Sequence, residues 1–162
     1  MTITLTINEK KHVISADPSE KLLTVLRKEK LFSVKCGCQK GLCGNCMILL
    51  DDNPVPACLV PIGIVRDSKI VTLEYFKNDP CYQDIITGFN QAGIHLCGYC
   101  NAGKIFTAYG ILKASFRPDK ASLYSALRGL APCCADSDSL AAAIMYAVAA
   151  KHTREGRHNA KK

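Results

Sequence analysis

Four cysteines, Cys38, Cys43, Cys46 and Cys58, follow one another as Cys-x4-Cys-x2-Cys-x11-Cys. This run of thiolates suits a [2Fe–2S] cluster, whose chemistry is the transfer of single electrons. Three of the thiolates fall within residues 38–46, so the loop that carries them must wrap tightly. Gly37, Gly41 and Gly44 allow the positive φ values and close backbone approach such a loop needs. They also leave amide N–H groups free to point at sulfur and stabilise negative charge. Lys40 adds a positive charge beside the site, which favours a reduced cluster. The competing chemistry is structural zinc, because Cys43 and Cys46 alone form a CxxC. Zinc ribbons show two such knuckles of similar build, whereas the x4-x2-long pattern with interleaved glycines favours iron.

A second set of thiols occupies the C-terminal half: Cys97-Gly98-Tyr99-Cys100, and then Cys133-Cys134. A CxxC followed by a cysteine pair is on its own merits also a zinc pattern. Cys36 and Cys81 stand outside both sets. Cys36 reads as a small buried thiol, with a ligand role as the alternative, and Cys81 as a core or surface cysteine near the junction of the halves. His12, His95, His152 and His158 show no ligand spacing, and Tyr99 between two thiols reads as packing. There is no serine–histidine–acid set, no nucleotide-binding glycine fingerprint and no recognisable carboxylate pair. The residues therefore point to carriage of electrons rather than to bond chemistry within this chain.

The elements that must position these thiols change texture near residues 76–80. Thr2 to Ile7 alternates polar and apolar, and a turn at Asn8-Glu9-Lys10 leads into His12–Ser15, which predicts a hairpin. Asp17-Pro18-Ser19-Glu20 reads as a helix start with Asp17 as N-cap, and Leu22, Leu23, Val25 and Leu26 form its apolar face. Strands are expected at Met47–Leu50, at Val55–Val60 carrying Cys58, and at Lys69–Glu74. Beyond residue 80, helices are expected at about 82–93, from the second cysteine motif to before Pro118, at 122–130 and at 137–151, a small four-helix bundle. The fold class is α+β: a β-grasp ferredoxin-like domain over residues 1–78, a four-helix domain over 79–152, and a basic tail over 153–162.

Composition bounds the rest. The 162 residues accommodate one medium or two small domains. No apolar run is long enough to span a membrane, and the start at Met1 has no leader pattern. Ten cysteines in that setting argue for a reducing cytoplasm and for metal rather than disulfides. The net charge of +7 includes a basic tail, but no aromatic-rich basic face or nucleic-acid motif accompanies it. The tail reads as a solvated or partner-contacting terminus.

Taken together, the two motifs resemble the iron–sulfur subunit of the molybdenum hydroxylases, the xanthine dehydrogenase and aldehyde oxidase family, over about residues 2–150. The family's GCxxGxCGxC core reads here Gly37-Cys38-Gln39-Lys40-Gly41-Leu42-Cys43-Gly44-Asn45-Cys46, with Cys58 in an SCL-like stretch. Its QCGFCTPG motif reads Leu96-Cys97-Gly98-Tyr99-Cys100-Asn101-Ala102-Gly103. The resemblance implies two [2Fe–2S] clusters, one held by Cys38, Cys43, Cys46 and Cys58, and one by Cys97, Cys100 and Cys134 with a fourth ligand. Where the family has LCRCTGY, this chain has Ala131-Pro132-Cys133-Cys134-Ala135-Asp136-Ser137, so Cys133 is the substitute for the missing ligand or only three thiolates bind. Leu96 replaces the glutamine that in the family lies against the partner's molybdopterin, and it lacks the amide. The resemblance further implies a molybdopterin-binding large subunit and an FAD-binding medium subunit as partners, with electrons relayed from a centre that hydroxylates a purine, another heteroaromatic or an aldehyde. The alternative is a single-cluster ferredoxin-type carrier or regulatory protein whose helical half is a docking module.

Overall fold

Residues 1–130 and 133–159 are described by a computed structural model. The alternation of the N-terminal segment becomes strand β1 (Thr2–Ile7), paired antiparallel with β2 (Lys10–Ser15). Asn8 and Glu9 take φ of 49° and 64°, the left-handed values of a two-residue turn that matches strand twist. Ile3, Leu5 and Ile7 share one fully buried face, as a period of two requires. Strands β3 (Met47–Leu50), β4 (Asn53–Pro56) and β5 (Lys69–Val71) complete a five-stranded sheet in the order β2-β1-β5-β3-β4. The β1–β5 pair is parallel and the other pairs antiparallel. Helix α1 (Leu22–Lys28) lays Leu22, Leu23, Val25 and Leu26 on the sheet, which makes this half the expected β-grasp.

Three local expectations change. Asp17 caps no helix; its carboxylate accepts from Ser19 N–H, closing a tight turn, and α1 starts only at Leu22. The reason is pairing: Lys21 bridges to Pro61, Leu22 N–H donates to Val60 O, and Ile62 N–H donates to Glu20 O, so residues 20–22 are committed to the neighbouring segment. The strand expected at Val55–Val60 ends at Pro56, and Cys58 rides on a single 3-10 turn, Ala57–Leu59. Pro54 and Pro56 lack the donors a central strand needs, which suits β4 to the sheet edge. The last strand stops at Val71, and Leu73–Phe76 forms a short helix α2.

The second half consists of α3 (Pro80–Gln91), α4 (Asn101–Ala114), α5 (Lys120–Leu127) and α6 (Ser137–Asn159). Asp79 and Asp119 cap α3 and α5 by accepting from Cys81 N–H and Ser122 N–H. Helices α3 and α6 approach so closely at Gly88 that a β-carbon there would stand 2.4 Å from Ala143 O and Ala147 N. Helix α6 runs through residues 153–159 of the expected tail, and Arg154 in that stretch binds Asp84 of α3 at 2.7 Å. Phe89, Ile105, Phe106, Leu127, Ile144 and Ala147 form the helical core.

The two halves are packed directly together. Leu49 of β3 and Phe76 of α2 belong to the helical core, and Phe76 meets the rings of Phe106 and Tyr109 at 5.1 Å and 5.0 Å. At the β3–β4 turn, Asp52 accepts from Tyr109 Oη and Lys113 Nζ of α4, each at 2.8 Å.

Candidate metal centres

The first site is the loop between α1 and β3 closed by the 3-10 turn. Gly41 and Gly44 stand at φ of +74° and +75°, where a side chain would be strained. Gly37 serves by proximity: a β-carbon there would lie 2.7 Å from Cys43 Sγ. The winding aims amides at sulfur. Backbone N–H groups of Lys40, Leu42 and Cys43 each approach Cys38 Sγ at 3.3 Å, and Cys38 N–H approaches Cys43 Sγ at 3.4 Å. Those donors, Lys40 first, hold the Cys38 thiol down to about 6. Cys46 and Cys58 form the buried floor, and burial pushes the Cys46 thiol up to about 12.

The second site lies at the start of α4. Cys100 occupies its N-cap position, Cys97 precedes it in the same turn, and Cys133 and Cys134 arrive from the bend before α6. The sulfur of Cys97 lies 3.4 Å from Cys100 and 3.7 Å from Cys133, and Cys100 lies 3.4 Å from Cys134. All four sulfurs fall within 4.8 Å of one another. The adjacent pair thus turns both thiols toward one point, and Cys133 joins the group; Ala131 and Pro132 lie outside the described residues.

Backbone N–H groups of Cys100 and then Tyr99 hold the Cys97 thiol down to about 6. The crowding thiols of Cys100 and Cys97 push Cys133 up to about 11, and burial raises Cys134. A set in which some thiols ionise readily while their neighbours are forced to keep protons is the donor chemistry of a cation site: a metal centre displaces those protons and relieves the crowding. Convergence of its four sulfurs within 4.8 Å fits the second set to a thiolate-bound metal group, and the amide-lined Cys38 and Cys43 above buried Cys46 and Cys58 supply the same donor type in the first.

The remaining cysteines stay apart. Cys36 is exposed rather than buried. Cys81 is half-buried in the first turn of α3, and burial pushes its thiol up to about 11. His12 pairs with Glu29 at 3.3 Å, His152 stacks on Phe116, and Tyr99 is exposed instead of packed. His95 and Leu96 line a cavity of about 230 Å³ with Asn101, whose Oδ1 is buried without a hydrogen-bond partner among the described residues.

Two features were not anticipated from the sequence. Lys104 is buried, with Nζ 3.1 Å from Cys100 Sγ. The available signal was its place four residues after Cys100, one turn along the helix that cysteine opens. The second is the contact of the two loops: a β-carbon on Gly103 would stand 2.8 Å from Gly44 O.

Comparison with known proteins agrees with this geometry. Residues 5–63 match the family model described as a 2Fe-2S iron-sulfur cluster binding domain. The chain is similar to the nicotinate dehydrogenase small FeS subunit of Eubacterium barkeri, 34% identical over 149 residues that cover 91% of this chain and 95% of that one. It is similar to the xanthine dehydrogenase iron-sulfur-binding subunit of Escherichia coli O157:H7, at 31% identity over 81% of this chain and 82% of that one. Among solved structures, quinoline 2-oxidoreductase from Pseudomonas putida 86 superposes with a TM-score of 0.80 at 30% identity, over 96% of this chain and 97% of that chain. Relatives of matching length, the cluster-domain match and the shared fold of both halves lead to one assignment: the chain belongs to the iron–sulfur, electron-transferring subunits of the molybdenum hydroxylases, the xanthine dehydrogenase and aldehyde oxidase family.

Proposed function

We propose that this chain relays electrons from a molybdopterin centre in a large partner subunit to an FAD-binding partner or another acceptor, through two sites. Cys97, Cys100, Cys133 and Cys134 hold the entry cluster, and Cys38, Cys43, Cys46 and Cys58 the exit cluster. When bound, the clusters supply one-electron chemistry. The chain's own residues do the rest: amides of Lys40, Leu42 and Cys43 direct positive dipoles at Cys38, burial of Cys46 and Cys58 keeps water from one side, and the α4 N-terminus places its dipole at Cys100.

The observation that carries this reading is the placement of the two thiol sets on either side of the Gly44–Gly103 contact. Convergence of Cys133 on the other three thiols favours two clusters over a single-cluster carrier. Relatives named for nicotinate and quinoline favour a nitrogen heteroaromatic as the substrate of the partner.

The test is purification of the tagged chain from its own cells, with molybdenum, pterin and FAD measured against iron. The reading predicts that all three co-elute and that substrate bleaches the iron–sulfur absorbance without added mediator. Iron recovered with this chain alone, in the absence of molybdenum and flavin, would contradict it.

A further inference from the structure

An ammonium group buried in a helical core is costly unless a negative group answers it. Lys104 is 2% exposed, inside the core of α4, and no carboxylate lies within 4.0 Å of it among the described residues. Its hydrogen bond there is to Cys100 Sγ, at 3.1 Å. The other buried ionic group among the described residues has a conventional partner: Asp84 pairs with Arg154. Lys104 therefore fits its surroundings only if the thiol quartet carries negative charge, as four thiolates around a metal core do.

We propose that Lys104 is the charge that sets the reduction potential of the second site. This rests on the reading of Cys97, Cys100, Cys133 and Cys134 as cluster ligands. Uptake of one electron adds one negative charge to the site, with no bond made or broken in the protein. A fixed positive charge in contact with a ligand sulfur stabilises the reduced form more than the oxidised one, because the attraction scales with the charge it faces. Burial strengthens the effect, since little water stands between Nζ and Sγ to screen it. Among the described residues the first site has no equivalent ammonium contact: Lys40 is exposed and donates to Cys38 through its backbone amide. Lys104 acts on the cluster through its ligand and takes no part in bond chemistry.

The experiment is an EPR-monitored redox titration, with dithionite as reductant, of the anaerobically purified full chain and its Lys104→Met and Lys104→Arg variants. The second-site signal is identified as the one lost in Cys134→Ala. Lys104→Met is expected to disfavour reduction of that site at least tenfold, about 59 mV for one electron, and to leave the first site unmoved. Lys104→Arg is expected to stay near the wild-type value. Should the methionine variant fail to assemble, Lys104→Gln is read in its place with the same expectation. An unmoved second-site potential, or equal shifts in the methionine and arginine variants, would overturn the role of the charge while leaving the cluster assignment intact. Absence of a second signal from the wild-type chain would overturn the cluster assignment and this inference with it.

Discussion

Gly44 and Gly103 touch backbone to backbone: a β-carbon on Gly103 would lie 2.9 Å from Gly44 Cα, and one on Gly44 would lie 3.2 Å from Gly103 Cα. Gly44 follows Cys43 in the first loop, and Gly103 is three residues beyond Cys100 in the second. No side chain separates the segments that carry the two thiol sets. Electron tunnelling weakens steeply with distance, so a backbone contact between these segments favours exchange between the sites they carry.

Gly103→Ala should therefore do two things. Backbone lies where the methyl must go, so the loops have to part, at about 1–3 kcal/mol of overpacking strain. Electron exchange between the sites should slow, read as weaker magnetic coupling between the two EPR signals, while each signal keeps its own g-values. Unchanged coupling in a folded variant would place the electron route elsewhere.

A second join, Asp52 with Tyr109 and Lys113, predicts a pH window. Its hydrogen bonds to Lys113 and Tyr109 lower the pKa of Asp52, so its contribution is present above the ordinary carboxylate range and is lost as pH falls through the lowered value. Burial and then the bond to Asp52 raise the pKa of Tyr109, so its contribution holds below the ordinary phenol value and is lost as pH rises through the raised one. Asp52 and Lys113 are exposed while Tyr109 is partly buried, so Asp52→Asn should cost only about 0.5–1 kcal/mol near neutrality. Thermal unfolding of the two proteins should converge in acid; a constant difference at every pH would refute the window.

Much of this was legible beforehand, and the misses share a cause. Cysteine spacing, the Asn8-Glu9 turn and the apolar face of α1 are local signals, and they placed the β-grasp half. The Asp17 cap was displaced because residues 20–22 pair with residues 60–62, a contact no local pattern carries. Cys58 left its strand because Pro56 ends the ladder. Gly103 looks ordinary in sequence; only packing of α4 against the first loop makes it a backbone contact, and only the folded helix shows Lys104 to be buried.

Arg154 shows how far the helical half extends. It fastens the last turns of α6 to Asp84, which is almost fully buried. Arg154→Met leaves that carboxylate without its cation and should destabilise the fold by about 1–3 kcal/mol, discounted from a fully buried pair because the guanidinium is partly exposed. Asp84→Asn combined with Arg154→Met should recover part of the loss, measured by thermal unfolding. A double variant no better than the single one would assign the cost to packing of the arginine stem.

The most direct test of the account counts its two centres. Iron and acid-labile sulfide are measured per chain after anaerobic purification, with EPR after dithionite reduction, in the wild type and in Cys43→Ala, Cys133→Ser and Cys36→Ser. Two distinguishable [2Fe–2S] signals are expected, with Cys43→Ala abolishing one, Cys133→Ser abolishing or altering the other, and Cys36→Ser leaving both. A wild type with one signal and half the iron, or with zinc in the Cys97–Cys134 quartet, would contradict the two-site relay.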